Sequence, residues 1–150
     1  MKPHETRAMT PEDTITFLAH ADLELKRAER YRIFVSLIVL DLSLVCKHIP
    51  TACELSLKKI MDLTATRLRC TDTVTLLDDS RVALLFPETP RQNAMIAGRR
   101  ITEMVRRTLS EMVGEQIEET VPMETASYPD AAGAKPVKSF LEELANKSRN

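Results

Sequence analysis

The chain has 150 residues, 29% of them charged, with a formal net charge of -1. That length suits one domain with a real core, and the balanced charge gives no global pull toward nucleic acid polymers or membrane surfaces. Three cysteines at irregular spacing suggest reduced thiols in a cytoplasmic protein, and only three glycines leave no Gly-rich phosphate loop.

Met1 to Met9 is polar, reads as a disordered tail over residues 1–10, and does not resemble a signal peptide. The remaining residues, 11–150, are expected to form the domain. Thr10-Pro11-Glu12-Asp13 marks a helix start, with Thr10 as N-cap and Pro11 at the first helical position. Ile15, Leu18, Ala21, Leu25 and Ala28 then recur at helical spacing, which carries the helix to about Tyr31 and leaves His20 on its outer face. Ile33 to Leu42 is rich in Val and Ile and predicts a central strand ending near Asp41. The apolar stretch from Ile33 to Cys46 is broken by Ser36, Asp41 and Ser43 and is too short to span a bilayer.

Pro50-Thr51-Ala52 opens a second helix whose inward stripe is Leu57, Ile60, Met61, Thr64 and Leu68, ending at Arg69. Two apolar runs follow, Val74 to Leu77 and Val82 to Phe86, divided by Asp78-Asp79-Ser80-Arg81. This pattern predicts a β-hairpin. The second run is apolar without alternation, so the hairpin is expected mid-sheet under helices, ended by Pro87. A third helix should carry Ala94, Ala97, Ile101, Met104, Val105 and Met112 on one side and close at Gly114. Ile117 to Tyr128 reads as an edge or broken strand because it contains Pro122. Gly133 to Pro136 reads as a turn and Val137 to Asn146 as a closing helix. Met61, Met95, Met104 and Met112 read as core filler. The alternation of helices with strands around a hairpin implies an α/β sandwich, ferredoxin-like or of the nucleotide-cyclase palm type, with a mainly antiparallel sheet.

Several of these segments resemble one family. Glu24 to Leu42, E-L-K-R-A-E-R-Y-R-I-F-V-S-L-I-V-L-D-L, looks like the opening of a GGDEF domain, the diguanylate cyclase fold of bacterial signal transduction. Arg69-Cys70-Thr71-Asp72, the hairpin and Leu85-Phe86-Pro87-Glu88-Thr89 resemble the centre of that family, and Ala126-Ser127-Tyr128-Pro129 its late strand end. The likeness spans about Thr14 to Asn150. Its signature turn would fall on Asp78, Asp79, Ser80, Arg81 and Val82, where the glycines and both acids of the pattern are replaced and only the apolar fifth position remains. Of the metal-ligand positions only Asp41 aligns, and one carboxylate is a poor magnesium site. The guanine-binding loop is replaced by the shorter Cys46-Lys47-His48-Ile49-Pro50-Thr51. The resemblance therefore implies a domain with neither cyclase activity nor a metal or other cofactor.

A second site of the family, the Arg-x-x-Asp of product inhibition, is matched in register by Arg69 and Asp72, with Arg100 at the position of a further arginine. The match implies a receptor for cyclic di-GMP, in which an Arg fork grips guanine or phosphate and Asp72 accepts from the base. Arg99 and Arg32 would add positive potential. Grip requires that the Arg69 and Arg100 heads lie near one another and are not consumed by the protein itself. A plainer reading stands beside this one: an Arg and an Asp three apart commonly form a surface ion pair worth ~0–1 kcal/mol. Arg99, Arg100, Arg106 and Arg107 equally suit a solvated helix face. On that reading the chain is a ligand-free interaction module, pairing with a protein partner or a second copy. Cys46, His48 and Cys53 fit no standard zinc spacing.

Overall fold

The computed structural model describes residues 11–47, 53–78, 80–130 and 135–149. Helix α1 (Pro11–Tyr31) leads through a tight turn, with Arg32 at φ 57°, into β1 (Val35–Asp41). A single-turn helix, α2 (Ser43–Cys46), follows it, and then α3 (Cys53–Thr66). The hairpin is β2 (Thr73–Leu76) and β3 (Arg81–Pro87), after which come α4 (Arg91–Val113), β4 (Met123–Tyr128) and α5 (Val137–Arg149). The four strands lie in the order β2-β3-β1-β4, every neighbouring pair antiparallel.

Both inner strands are buried on their two faces, which explains their unbroken apolar runs. Ile38, Leu40, Val82, Leu84 and Phe86 pack under α3 and α4 with Leu57, Ile60, Ile101, Val105 and Leu109. Leu37, Val39, Ala83 and Leu85 point the other way, toward Phe17, Ala21, Leu25 and Ala28 of α1 and Val137, Phe140 and Leu144 of α5. The expected hairpin, central first strand and sandwich are therefore present. Burial of each such Leu or Ile contributes about 1.5–3 kcal/mol, so the two layers supply most of the driving force.

Several local expectations differ. Only β3 of the hairpin is interior; β2 is an edge strand. Helix α1 turns Phe17 and Thr14 inward rather than Ile15, which is 69% exposed. Thr14 is drawn in because its hydroxyl donates to the free edge of β2, at Leu76 O (2.9 Å). His20 is not on an outer face: it is half-buried, its Nδ1 3.5 Å from Thr73 Oγ1. Helix α3 ends at Thr66, three residues before Arg69, and the Thr66 hydroxyl donates back to Leu63 O at that end. On α4, Leu109 and Gly98 are buried while Met112 is 41% exposed, so Met112 is not core filler. Gly98 allows a close approach to the sheet, since a Cβ there would lie 2.9 Å from Ile38 Cδ1 and 2.6 Å from Met123 Sδ. Gly114 stops the helix as expected, in the left-handed region at φ 86°. The strand after it is shorter than the sequence pattern: Ile117 is buried outside the sheet, and Pro122 lends its carbonyl to Asp41 N (2.9 Å). The expected tail, the Thr10 cap, the 50–52 helix start and most of the 133–136 turn lie outside the described residues.

Candidate functional site

The hairpin turn is built on one carboxylate. Asp78 Oδ1 accepts from the amides of Ser80 (3.0 Å) and Arg81 (2.9 Å), while Oδ2 accepts from Arg81 Nε at 2.8 Å. Partial burial is the largest single influence on Asp78 and disfavours its charge. The Ser80 amide and the guanidinium and amide of Arg81 together outweigh it, holding the carboxyl below its usual value. Val82, the apolar position after the turn, is buried in the core and pairs with Leu40 and Leu76. Asp79 lies outside the described residues. Across the sheet, Arg81 stands opposite Asp41, whose Oδ1 caps Ser43 N at 2.9 Å. Among the described residues no three His, Cys, Asp or Glu side chains group closely enough to hold a metal ion. Of the Cys46, His48 and Cys53 trio, His48 and the Cys53 side chain lie outside the described residues.

At the opposite end of the hairpin, residues 69–72 fold into a turn closed by Asp72 N to Arg69 O (3.0 Å). The same turn returns the Asp72 carboxylate onto Arg69: Oδ2 accepts from the Arg69 amide (2.9 Å) and from Nε (3.4 Å), and Oδ1 accepts from Nη2 (3.2 Å). Nη2 also donates to Pro87 O (3.0 Å) and to Thr89 Oγ1. The Asp72 side chain is 4% exposed and the Arg69 side chain 58%. The guanidinium is thus largely consumed by the protein, against the expectation of a head held in reserve. Its Nη1 has no protein acceptor among the described residues, and its outer face is open.

Sequence reasoning missed Thr89 and the Pro87 carbonyl. They lie 20 and 18 residues from Arg69, and the only signal for them was the Pro-x-Thr at the end of the strand. Between them Glu88 adopts φ 53°, its carboxylate 3.5 Å from Arg27 Nη2. Thr89 O in turn accepts from Ser36 Oγ (2.7 Å), which meets Ser127 Oγ at 2.9 Å.

Arg69 and Asp72 line a groove of about 260 Å³ with Arg67, Glu88, Asn93 and Ala97. Arg100 does not line it. Arg100 lies in an adjoining groove of about 420 Å³ over Ala97, Ile101 and Met104, bounded by Arg67, Arg107 and Glu103. The two grooves share Arg67 and Ala97. Arg99 and Arg32 are exposed but line neither groove. Arg106 is not a solvated side chain: it pairs with Glu103 (3.4 Å) and donates to Ile117 O (3.2 Å). A third groove, about 470 Å³, runs between α1 and β2 past His20, Arg27, Cys70 and Thr75.

No family model matches the chain, and no curated protein matches it either. Solved structures do. The GGDEF domain of FimX from Pseudomonas aeruginosa superposes with a TM-score of 0.64 at 21% identity, over 91% of this chain and 83% of that one. The GGDEF domain of DgcB from Caulobacter crescentus, solved in complex with c-di-GMP, gives 0.62 at 13% identity over 97% and 91%. A DGC protein from Thermotoga maritima gives 0.61 at 17% over 94% and 95%. The chain has the fold of GGDEF diguanylate cyclase domains, a four-stranded antiparallel sheet under helices on both faces. None of its described helices is long and apolar enough to cross a membrane.

Proposed function

We propose that the chain is a GGDEF-fold domain without cyclase activity that binds cyclic di-GMP on the face between the end of α3 and α4, as a cytoplasmic receptor. One observation carries the reading: the Arg69–Asp72 pair and Arg100 occupy adjoining grooves that meet at Arg67 and Ala97. The requirement of an unengaged Arg69 head is not met on its Nε and Nη2 side, so the grip falls on Arg69 Nη1 and on Arg100. A ligand with two bases and two phosphates suits such a surface, since guanidinium groups bind phosphate or guanine edges and stack on base planes. The c-di-GMP complex of the C. crescentus domain supports the choice of ligand.

The silence of the cyclase site rests on the turn. Phosphoryl transfer on magnesium needs carboxylates free to share the ion with the substrate phosphates. Here Asp78 spends its oxygens on the turn itself, Arg81 occupies its flank, and Asp41 caps Ser43. Incubation with GTP and magnesium is expected to yield no dinucleotide; product formation would overturn this half.

The interaction-module reading keeps one specific observation in its favour, the engagement of Arg69 Nη2 by Asp72, Pro87 and Thr89. Calorimetry with cyclic di-GMP separates the two. A receptor gives a saturable heat, and a folded chain giving none at high micromolar ligand is an interaction module only.

A further inference from the structure

The groove beside Arg69 and Asp72 is too small for the ligand proposed for it. At about 260 Å³ it falls below the usual span of ligand sites, about 300–1,000 Å³, whereas a cyclic dinucleotide carries two bases, two riboses and two phosphates. Two grooves adjoin it. The 470 Å³ groove meets it at Asp72 and Glu88, where Arg27 is already paired with Glu24 and Glu88. The 420 Å³ groove over Ala97, Ile101 and Met104 meets it at Arg67 and Ala97, and is the one that offers unpaired arginines. Helix α4 lines the 260 Å³ and 420 Å³ grooves alike: Asn93 and Ala97 face the first, and Ala97, Arg100, Met104 and Arg107 the second. Those residues are spaced alternately four and three apart, which keeps them on one face of the helix.

The charge on this face is unspent. The side chains of Arg67, Arg100 and Arg107 are exposed and have no ion pair or hydrogen bond among the described residues. Glu103, the acid in the second groove, is paired with Arg106. Helix α4 carries five arginines against two glutamates in a chain whose net charge is -1.

Resting on the receptor reading, we propose that Arg67 and Arg107 are ligand-contacting residues, holding the half of the cyclic dinucleotide that the Arg69–Asp72 groove cannot contain. Arg67, common to both grooves, bridges the halves. Arg107 meets the distal phosphate, and the apolar floor of Ala97, Ile101 and Met104 takes the base.

Both arginines are exposed, so their replacement leaves the core intact. Calorimetry of the full chain with cyclic di-GMP is run on the parent, Arg67→Ala, Arg107→Ala, Arg69→Ala and, as a charge-matched control, Lys138→Ala on the exposed face of α5. Kd is expected to rise about 10- to 100-fold in each of the first two variants, the range for hydrogen bonds to charged groups, and to stay within twofold in the control. The salt dependence of Kd should flatten in both, because a screened charge has been removed. Binding lost in Arg69→Ala but unchanged in Arg67→Ala and Arg107→Ala overturns the two-groove inference while leaving the receptor. No binding by the folded parent overturns the receptor, and the inference with it.

Discussion

Arg69 has two competing uses, and its energetics follow from both. Its Nη2 is shared among Asp72 Oδ1, Pro87 O and Thr89 Oγ1, tying the end of α3 to the chain leaving β3. Arg69→Ala is therefore expected to lower stability as well as binding, by about 1–2 kcal/mol after allowing for its exposure, read from the urea midpoint. An unchanged midpoint would mean that these contacts hold nothing. Arg69→Lys should recover little of either property, because an ammonium cannot reproduce the fork. Asp78 gives a pH test. Its carboxyl is held below its usual value, so its contribution is complete above the unfolded pKa of about 3.9 and is lost as pH falls through the lower folded value. Asp78→Asn should thus be less stable than the parent at pH 7, with the gap closing in acid. A gap that is constant with pH would remove the charge from the account.

The elements were legible wherever periodicity was strong and both sides of the pattern were local. The β3 run Val82 to Phe86 announced a strand covered on two faces, and α3 and α4 lie over one of them while α1 and α5 lie under the other. Leu84, fully buried between β2, β1 and the upper helices, should cost about 2–5 kcal/mol on replacement by Ala. Gly114→Ala, exposed and at φ 86°, should cost about 1 kcal/mol through backbone strain alone. Thermal melts of the two variants check both. What periodicity could not tell was which of two neighbouring apolar residues turns inward. Phe17 displaced Ile15 because the Thr14 hydroxyl is committed to Leu76 O, a tertiary contact with no trace in the helix itself. The one-turn α2 was likewise unannounced, being set by Asp41 capping Ser43.

On the scale of the whole molecule, the order of elements and the resemblance gave the sandwich correctly, and the solved GGDEF domains share it. The site was legible only in part. The register picked out Arg69, Asp72 and Arg100, which line adjoining grooves, yet it could not reveal that Thr89 and the Pro87 carbonyl claim the Arg69 head. It gave no notice of Arg67 and read Arg107 only as part of a solvated helix face; the groove they share arises from the packing of α3 against α4. Ligand binding here would reach the rest of the fold by contact: Arg69 to Thr89, Thr89 to Ser36, Ser36 to Ser127 on the edge strand β4. A ligand changes the domain's output only so far as it binds two arrangements of that chain of bonds with different affinity.

The most direct test is a map of backbone amide shifts in the isotope-labelled chain during titration with cyclic di-GMP. Saturable shifts are expected in residues 67–72 and 93–107, with the turn at 78–81 unmoved. Shifts centred on that turn, or none in a folded sample, would contradict a receptor site on the arginine-lined face.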